Sequence, residues 1–106
     1  ILTGLKLIAA GIKDNPVRDV YRISIPLSAG DKYGRMSWDH TAVLIAVYGT
    51  GGFFDTVRGR IIVNSDGSNV WENDAEGPHS YVVQKMPADE VAAFIESRMM
   101  HVPERK

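Results

Sequence analysis

Trp38 and Asp39 stand side by side in the sequence, directly before a long apolar run. Carboxylate oxygens are the ligands that Ca²⁺ and Mg²⁺ select, and the face of a Trp ring stacks on flat heterocycles. The pair also has a purely structural interpretation, because an Asp at a helix start often caps the helix and a Trp often belongs to a core. The residue types therefore allow either a ligand site or a capped core helix.

The other polar residues show no spacing that carries chemistry by itself. His40, His79 and His101 lie far apart, without the i, i+4 spacing of metal ligands, so a surface or supporting role is the simplest expectation for each. No serine lies in a Gly-x-Ser-x-Gly motif, and residues 49–52 lack the Lys-Ser/Thr pair of a phosphate-binding loop. The absence of cysteine excludes disulfides, thiolate catalysis and zinc–thiolate sites.

The composition is that of an ordinary globular domain. The chain has 106 residues, of which 44% are apolar and 24% charged, enough for one compact domain. The net charge is −1, and Lys and Arg are scattered apart from the tail at residues 104–106, so no nucleic-acid partner is expected. No apolar run approaches the roughly 18 residues of a membrane span, so no membrane partner is expected either. Localisation stays open between the cytoplasm and export.

The chain starts at Ile1, inside an apolar periodic pattern and without a capping residue ahead of it. Two explanations fit this start equally well. One is a trimmed or processed terminus, and the other is missing upstream sequence that belongs to the same fold.

The first quarter of the sequence shows helical spacing. One apolar face consists of residues three or four positions apart: Leu2, Leu5, Ile8, Ala9 and Ile12. Asn15 and Pro16 then indicate the N-cap and first residue of a second helix, which Pro26 would end near Ile25. A strand over residues 20–27 is the alternative, since Val, Tyr and Ile dominate that stretch.

Residues 28–35 predict a polar loop, and residues 41–48 form a solid apolar run. Such a run is either a buried helix or a buried strand, and periodicity cannot separate the two. Ser37 or Asp39 ahead of it as a cap, and the glycines of residues 49–52 behind it, favour a buried helix.

The second half is typical of a hairpin followed by a strand and a helix. Strands are predicted at residues 57–63, 70–72 and 80–86, and the Asp-Gly step at residues 66–67 predicts the hairpin turn. A final helix opens at Pro87. Its predicted buried face consists of Val91, Phe94, Ile95 and Met99. Because no repeat or linker interrupts the pattern, the whole chain is predicted to be a single α+β segment.

Residues 34–47 (GRMSWDHTAVLIAV) resemble the C-terminal region of the nucleoside hydrolase family, of the inosine–uridine-preferring type. The resemblance extends to residues 1–4 and 15–17 upstream, and to residues 59–63, 66–69 and 90–100 downstream. It covers essentially the whole chain, although only the Trp-Asp helix start and the Asp-Gly-Ser-Asn turn are specific. The resemblance implies that the chain is the C-terminal part of an open α/β sheet fold, without its N-terminal part.

The resemblance also implies a function. Nucleoside hydrolases cleave the N-glycosidic bond of ribonucleosides to give ribose and a free base, with the help of one Ca²⁺. Asp39 matches the family's late Ca²⁺ ligand. Trp38 occupies the place of a residue near the leaving base, where a purine-preferring subgroup carries a base-stacking Trp. His40 follows directly and is the second candidate for substrate binding.

One family motif is missing, because no aspartates here have the Asp-x-Asp-x-x-x-Asp-Asp spacing that supplies the catalytic base and most Ca²⁺ ligands. The chain alone is therefore expected to hold no catalytic residue, to be inactive and to lack Ca²⁺. It is also expected to self-associate or to pair with the missing N-terminal segment. The alternatives are a free-standing interaction module that keeps the scaffold, and a small-ligand binding protein that uses Trp38.

Overall fold

The structure, a computed structural model, describes residues 1–104, which belong to two compact units. The first unit comprises residues 1–49 and the C-terminal part from Pro87, and the second comprises Thr50–Met86. Arg105 and Lys106 of the basic tail lie outside the described residues. Helices and small antiparallel sheets are both present, which confirms the predicted α+β class. None of the helices in residues 1–104 has the length and apolar character needed to cross a membrane.

The first unit consists mainly of helices. Its elements in chain order are β1 (Leu2–Thr3), α1 (Leu5–Ala9), α2 (Pro16–Ser24), β2 (Arg35–Met36), α3 (Trp38–Tyr48) and α4 (Ala88–Met99). Two short 3-10 turns, Ile25–Leu27 and Ala29–Asp31, connect α2 to β2. Strands β1 and β2 pair antiparallel, with Leu2 opposite Met36 and Thr3 opposite Arg35. This two-stranded ladder joins the start of the chain to the start of α3.

The first predicted helix is shorter than expected and buries a different side chain. Leu2 belongs to β1, and Gly4 turns the chain into α1 with a φ of 113°, a conformation that glycine adopts easily. Leu5 is 42% exposed, whereas Leu7 is completely buried. The expected apolar face was therefore wrong, because pairing with β2 takes the first residues out of the helix.

The second helix begins as predicted. Asn15 accepts a hydrogen bond from the Arg18 backbone N–H through its side-chain oxygen (2.8 Å), and Pro16 is the first helical residue. The Asn15 amide nitrogen also donates to the Met99 carbonyl at the end of α4 (2.9 Å). Since α2 extends to Ser24, the alternative of a strand over residues 20–27 was wrong.

The core of the first unit lies between α1, α2 and α4. Its buried side chains include Leu7, Tyr21, Ile25, Val91 and Ile95. On the predicted face of α4, Val91 and Ile95 are buried, while Phe94 and Met99 are only partly so. The α4 carboxylate of Glu96 is also buried, and it accepts a hydrogen bond from the Gly4 N–H (2.8 Å).

The apolar run forms a helix, α3, but this helix is not buried as predicted. Only Leu44 is buried along it, while Val43 and Val47 are 62% and 68% exposed. The first unit covers one face of α3 and leaves the other open. Ser37 occupies the N-cap position but makes no capping hydrogen bond, since its hydroxyl bonds to the buried Thr3 instead.

The second unit is a three-stranded antiparallel sheet with the strand order β4-β3-β5. Its strands are β3 (Phe54–Val63), β4 (Asn69–Asn73) and β5 (His79–Gln84). The three predicted strands are confirmed, and β3 starts earlier than predicted. Trp71 and Tyr81 meet edge to face across β3, with ring centroids 5.0 Å apart. Gly59 lies between them, and any side chain there would overlap the Trp71 ring.

The predicted hairpin turn is confirmed. The Asn64 N–H donates to the Ser68 carbonyl (2.8 Å), and Gly67 adopts a φ of 85°. Asp66 accepts hydrogen bonds from the Ser68 hydroxyl (2.7 Å) and from the Ser68 backbone N–H (3.0 Å). These two bonds, the hydroxyl first, hold the pKa of Asp66 below its usual value of 3.8.

We expect Gly4→Ala to destabilise the protein more than Gly11→Ala. Both glycines have positive φ, which costs another residue about 1–2 kcal/mol. An added Cβ at Gly4 would also overlap the Tyr21 ring, whereas at Gly11 it would meet nothing. Overpacking should add about 1–3 kcal/mol to the loss for Gly4→Ala. Urea unfolding followed by circular dichroism measures both, and equal losses would contradict the close packing of Gly4 on Tyr21.

We expect Ser68→Ala to raise the pKa of Asp66 towards 3.8, because it removes the hydroxyl that contributes most to the lowering. A carboxyl with a lowered pKa in the folded state stabilises the turn above the unfolded pKa, and this contribution is lost as pH falls through the folded value. NMR titration of the carboxyl carbons measures the change. Asp74 is the control, since the Glu76 N–H and Arg60 lower its pKa. An unchanged Asp66 pKa would refute the assignment.

Candidate functional site

A cleft of about 780 Å³ lies beside the first turn of α3. Its walls come from α2, β2 and the residues that start α3, and it brings together the three site residues named from the sequence. Trp38, Asp39 and His40 all line it. The remaining lining residues are Pro16, Val17, Val20, Tyr21, Ser24, Asp31, Arg35 and Met36. Most of this wall is apolar, and its ionic groups come from Asp31, Arg35 and Asp39.

Trp38 lines the cleft and is largely exposed to solvent. Its side chain is 73% exposed, although it is the first residue of α3. The structural interpretation of Trp38 as a core residue is therefore wrong. An exposed indole at a cleft offers a flat apolar face to a ligand.

Asp39 is an exposed carboxylate within the first turn of α3. It makes no hydrogen bond and no ion pair with any described residue, so it does not cap the helix through its side chain. The neighbouring cation, Arg35, is already paired with Asp31 at 2.8 Å. A negative charge is favourable near a helix N-terminus, which accounts for Asp39 at this position without a partner. Its oxygens are consequently available to a ligand.

The described part of the chain does not by itself form a calcium site. Ca²⁺ takes six to eight oxygen ligands, and Asp39 supplies one carboxylate. Asp31 lines the same cleft, but Arg35 occupies one of its oxygens. Residues 1–104 contain no group of three or more His, Asp or Glu side chains placed to hold a metal ion. A metal bound at Asp39 would need most of its ligands from other residues.

A chain of buried hydrogen bonds lies behind the cleft. The Ser37 hydroxyl bonds to the Thr3 hydroxyl, which bonds to the Tyr21 hydroxyl (3.2 Å). The Tyr21 hydroxyl in turn bonds to Nε2 of His40 (3.4 Å). Ser37 and Thr3 are each 2% exposed, so this end of the chain is shielded from water, while the bond to His40 at the cleft is only partly buried. It ties β1 and α2 to the first turn of α3, and sequence reasoning did not identify it.

His40 is held in the wall by this chain. Nε2 bonds to Tyr21, and Nδ1 is buried without a hydrogen-bond partner among residues 1–104. Orphaned buried N–H groups are rarer than orphaned acceptors, so we assign the proton to Nε2, which donates to Tyr21. The ring of His40 lines the cleft, and its role in substrate binding stays a prediction.

The other two histidines lie elsewhere. Nδ1 of His79 accepts a hydrogen bond from the Ile61 N–H (3.0 Å) in the second unit, where it pairs a backbone group of β3. His101 is exposed beyond the end of α4. Both positions agree with the supporting or surface roles expected from the sequence.

Comparison with known proteins gives no relative: no protein-family model matches the chain, and no curated protein or solved structure is significantly similar to it. Function therefore has to be inferred from the residues of the cleft, since a fold class alone does not define an activity.

We expect Tyr21→Phe to lower the free energy of unfolding by about 1–3 kcal/mol, because it leaves the buried groups of Thr3 and His40 with fewer partners. Urea unfolding measures the loss. The control is Tyr33→Phe, which removes a hydroxyl from a side chain that is 73% exposed and should change stability little. If both variants are as stable as the wild type, the buried chain contributes nothing.

Proposed function

We propose that this chain forms the base- and ribose-binding part of a nucleoside hydrolase. The observation that supports the proposal best is the position of Trp38 and Asp39, an exposed indole and an unpaired carboxylate at one cleft. These groups match the two parts of a nucleoside. A flat base stacks on an indole, and ribose hydroxyls donate hydrogen bonds to a carboxylate.

The size and lining of the cleft support the same proposal. Clefts that bind small molecules usually have volumes of about 300–1,000 Å³, with mostly apolar walls and a few polar groups that fix orientation. This cleft falls within that range, and Val17, Val20 and Met36 contribute apolar surface. A base can lie against such surface while its sugar reaches Asp39.

The proposed reaction is hydrolysis of the N-glycosidic bond. A water oxygen bonds to the anomeric carbon as the carbon–nitrogen bond breaks, and the electron pair of that bond leaves with the base nitrogen. The attacking water gives up a proton, and the base nitrogen gains one. The sugar becomes cation-like in the transition state, which a nearby carboxylate stabilises. In this scheme Asp39 supplies negative charge near the sugar, and Trp38 holds the base in place.

The proposal requires groups that the described residues do not supply. Asp39 would be one ligand of a Ca²⁺ ion, with the remaining ligands and the catalytic base on carboxylates from other residues of an intact enzyme. His40 is not assigned a proton transfer, because Tyr21 already occupies its Nε2 and its Nδ1 is buried. The chain alone is thus expected to bind nucleosides without cleaving them.

A binding module without catalysis is the second candidate. It is favoured by the same finding that limits the first, namely that residues 1–104 hold no cluster of metal ligands. In this case Trp38 and Asp39 bind a flat, hydroxyl-bearing ligand, and no intact enzyme is required.

We expect adenosine or inosine to change the fluorescence of Trp38 at up to millimolar concentration. The measurement needs a Trp71→Phe background, because Trp71 is the only other Trp in the sequence. Trp38→Leu should weaken binding about 5- to 150-fold, the range that corresponds to losing one stacked base, when measured by calorimetry. No fluorescence response at millimolar nucleoside would contradict both candidates.

The contributions of the ribose and of the base to binding can be distinguished with Asp39→Asn. This variant should weaken binding of the nucleoside but not of the free base, whereas Trp38→Leu should weaken both. A ribose-release assay on the 106-residue chain is expected to show no turnover. Turnover by an intact enzyme that contains this segment, abolished by Asp39→Asn, would favour the hydrolase over the binding module.

A further inference from the structure

The open side of α3 and the adjoining side of α4 form an apolar surface, called here the α3–α4 face. It consists of Val43, Val47 and Tyr48 from α3 and Phe94 and Met99 from α4, around a groove of about 380 Å³. After Asp39, α3 carries no Asp, Glu, Lys or Arg. A helix that is apolar all round is normally buried, yet Val43 and Val47 are mostly exposed here. The α3–α4 face is therefore suited to cover by another protein surface.

Two oppositely charged residues of α4 lie on either side of Phe94. Glu90 lies in the first turn and Arg98 in the last turn, each four residues from Phe94. Residues four apart share one side of a helix, so the three side chains follow one another along α4. The guanidinium of Arg98 lies over the Phe94 ring, 4.8 Å from its centroid. Neither Glu90 nor Arg98 forms an ion pair within the described residues.

This arrangement is self-complementary under a two-fold rotation. If two copies of α4 pack antiparallel about an axis near Phe94, Arg98 of each copy meets Glu90 of the other. The two residues are about 12 Å apart along one helix, which is too far for a pair within one chain. Antiparallel helices also place opposite ends of their dipoles together. A partner of unrelated sequence would have no reason to match this spacing, whereas a second copy matches it automatically.

We propose that the α3–α4 face is a surface on which a second copy of this chain docks, antiparallel and two-fold symmetric. Phe94 would lie near the two-fold axis, and Val43, Val47 and Met99 would supply apolar surface beside it. The Arg98–Glu90 pairs would flank the axis along α4. A stable interface buries about 800 Å² on each partner, so α3 has to take part together with α4. This proposal does not depend on the nucleoside hydrolase proposal, because the face contains neither Trp38 nor Asp39. His40 lines both the cleft and the groove.

Sedimentation velocity of the 106-residue chain, from about 1 to 100 μM, tests the docking surface. We expect a reversible dimer in the wild type and a monomer in Val47→Glu, which places a charge on the apolar surface of the groove. Leu27→Glu is the matched control, since Leu27 is 83% exposed but lies outside the α3–α4 face. The control should dimerise like the wild type. A wild-type monomer at the highest concentration overturns the proposal, as does loss of the dimer in both variants.

A charge exchange tests the geometry. Arg98→Glu and Glu90→Arg should each weaken the dimer about tenfold or more, because each places like charges opposite one another. The double variant should restore most of the affinity, since the pair forms again with its charges exchanged. Failure of the double variant to recover, with both single variants folded by circular dichroism, overturns the two-fold arrangement. If either charge-reversed variant unfolds α4, the neutral variants Glu90→Gln and Arg98→Gln are used instead. If the loss of dimer affinity in the Glu90→Gln/Arg98→Gln double variant equals the sum of the two single losses, the pairing is overturned.

Discussion

The buried hydrogen bonds between Thr3, Tyr21 and Ser37 are the interaction on which the first unit most depends. Three hydroxyl groups from three elements meet where water does not reach, and such groups are costly to bury unless they bond to one another. Their bonds hold the start of α3 against α2 and β1. A backbone hydrogen bond joins the same parts of the chain, since the Ser37 N–H donates to the Ile1 carbonyl (3.0 Å). Because these bonds hold the start of α3 beside α2, they also position Trp38 and Asp39 at the cleft.

The parts of the fold that could be predicted are those set by neighbouring residues. The Asn15–Pro16 helix start and the Asp66–Gly67 turn depend on side chains that bond to backbone a few positions away, so the sequence shows them directly. Burial could not be predicted in the same way. A run as apolar as α3 indicates a core, but exposure depends on which elements pack against it. The first helix likewise begins only after Gly4, because the residues before it pair with β2.

The sequence named residues of the cleft but not its walls. The types and adjacency of Trp38 and Asp39 allowed either a ligand site or a capped core helix, and the resemblance to nucleoside hydrolases favoured the ligand site. The bond from Tyr21 to His40 joins residues 19 positions apart on different helices, and no spacing rule connects them. The contribution of α2 to the cleft depends on the same tertiary contacts. The sequence therefore identified Trp38 and Asp39 as candidates, while the fold determined which of their atoms are exposed to a ligand.

The hydrogen bond from Gly4 to Glu96 joins residues 92 positions apart, and the bond from Asn15 to Met99 joins residues 84 apart. During synthesis Gly4 and Asn15 leave the ribosome well before their partners on α4. The hairpin of the second unit, by contrast, closes through contacts within a short stretch of chain. Because distant contacts form slowly and late, the second unit should fold first on the ribosome. Until α4 emerges, Leu7 and Tyr21 remain without part of their cover, because Met99 of α4 packs against them.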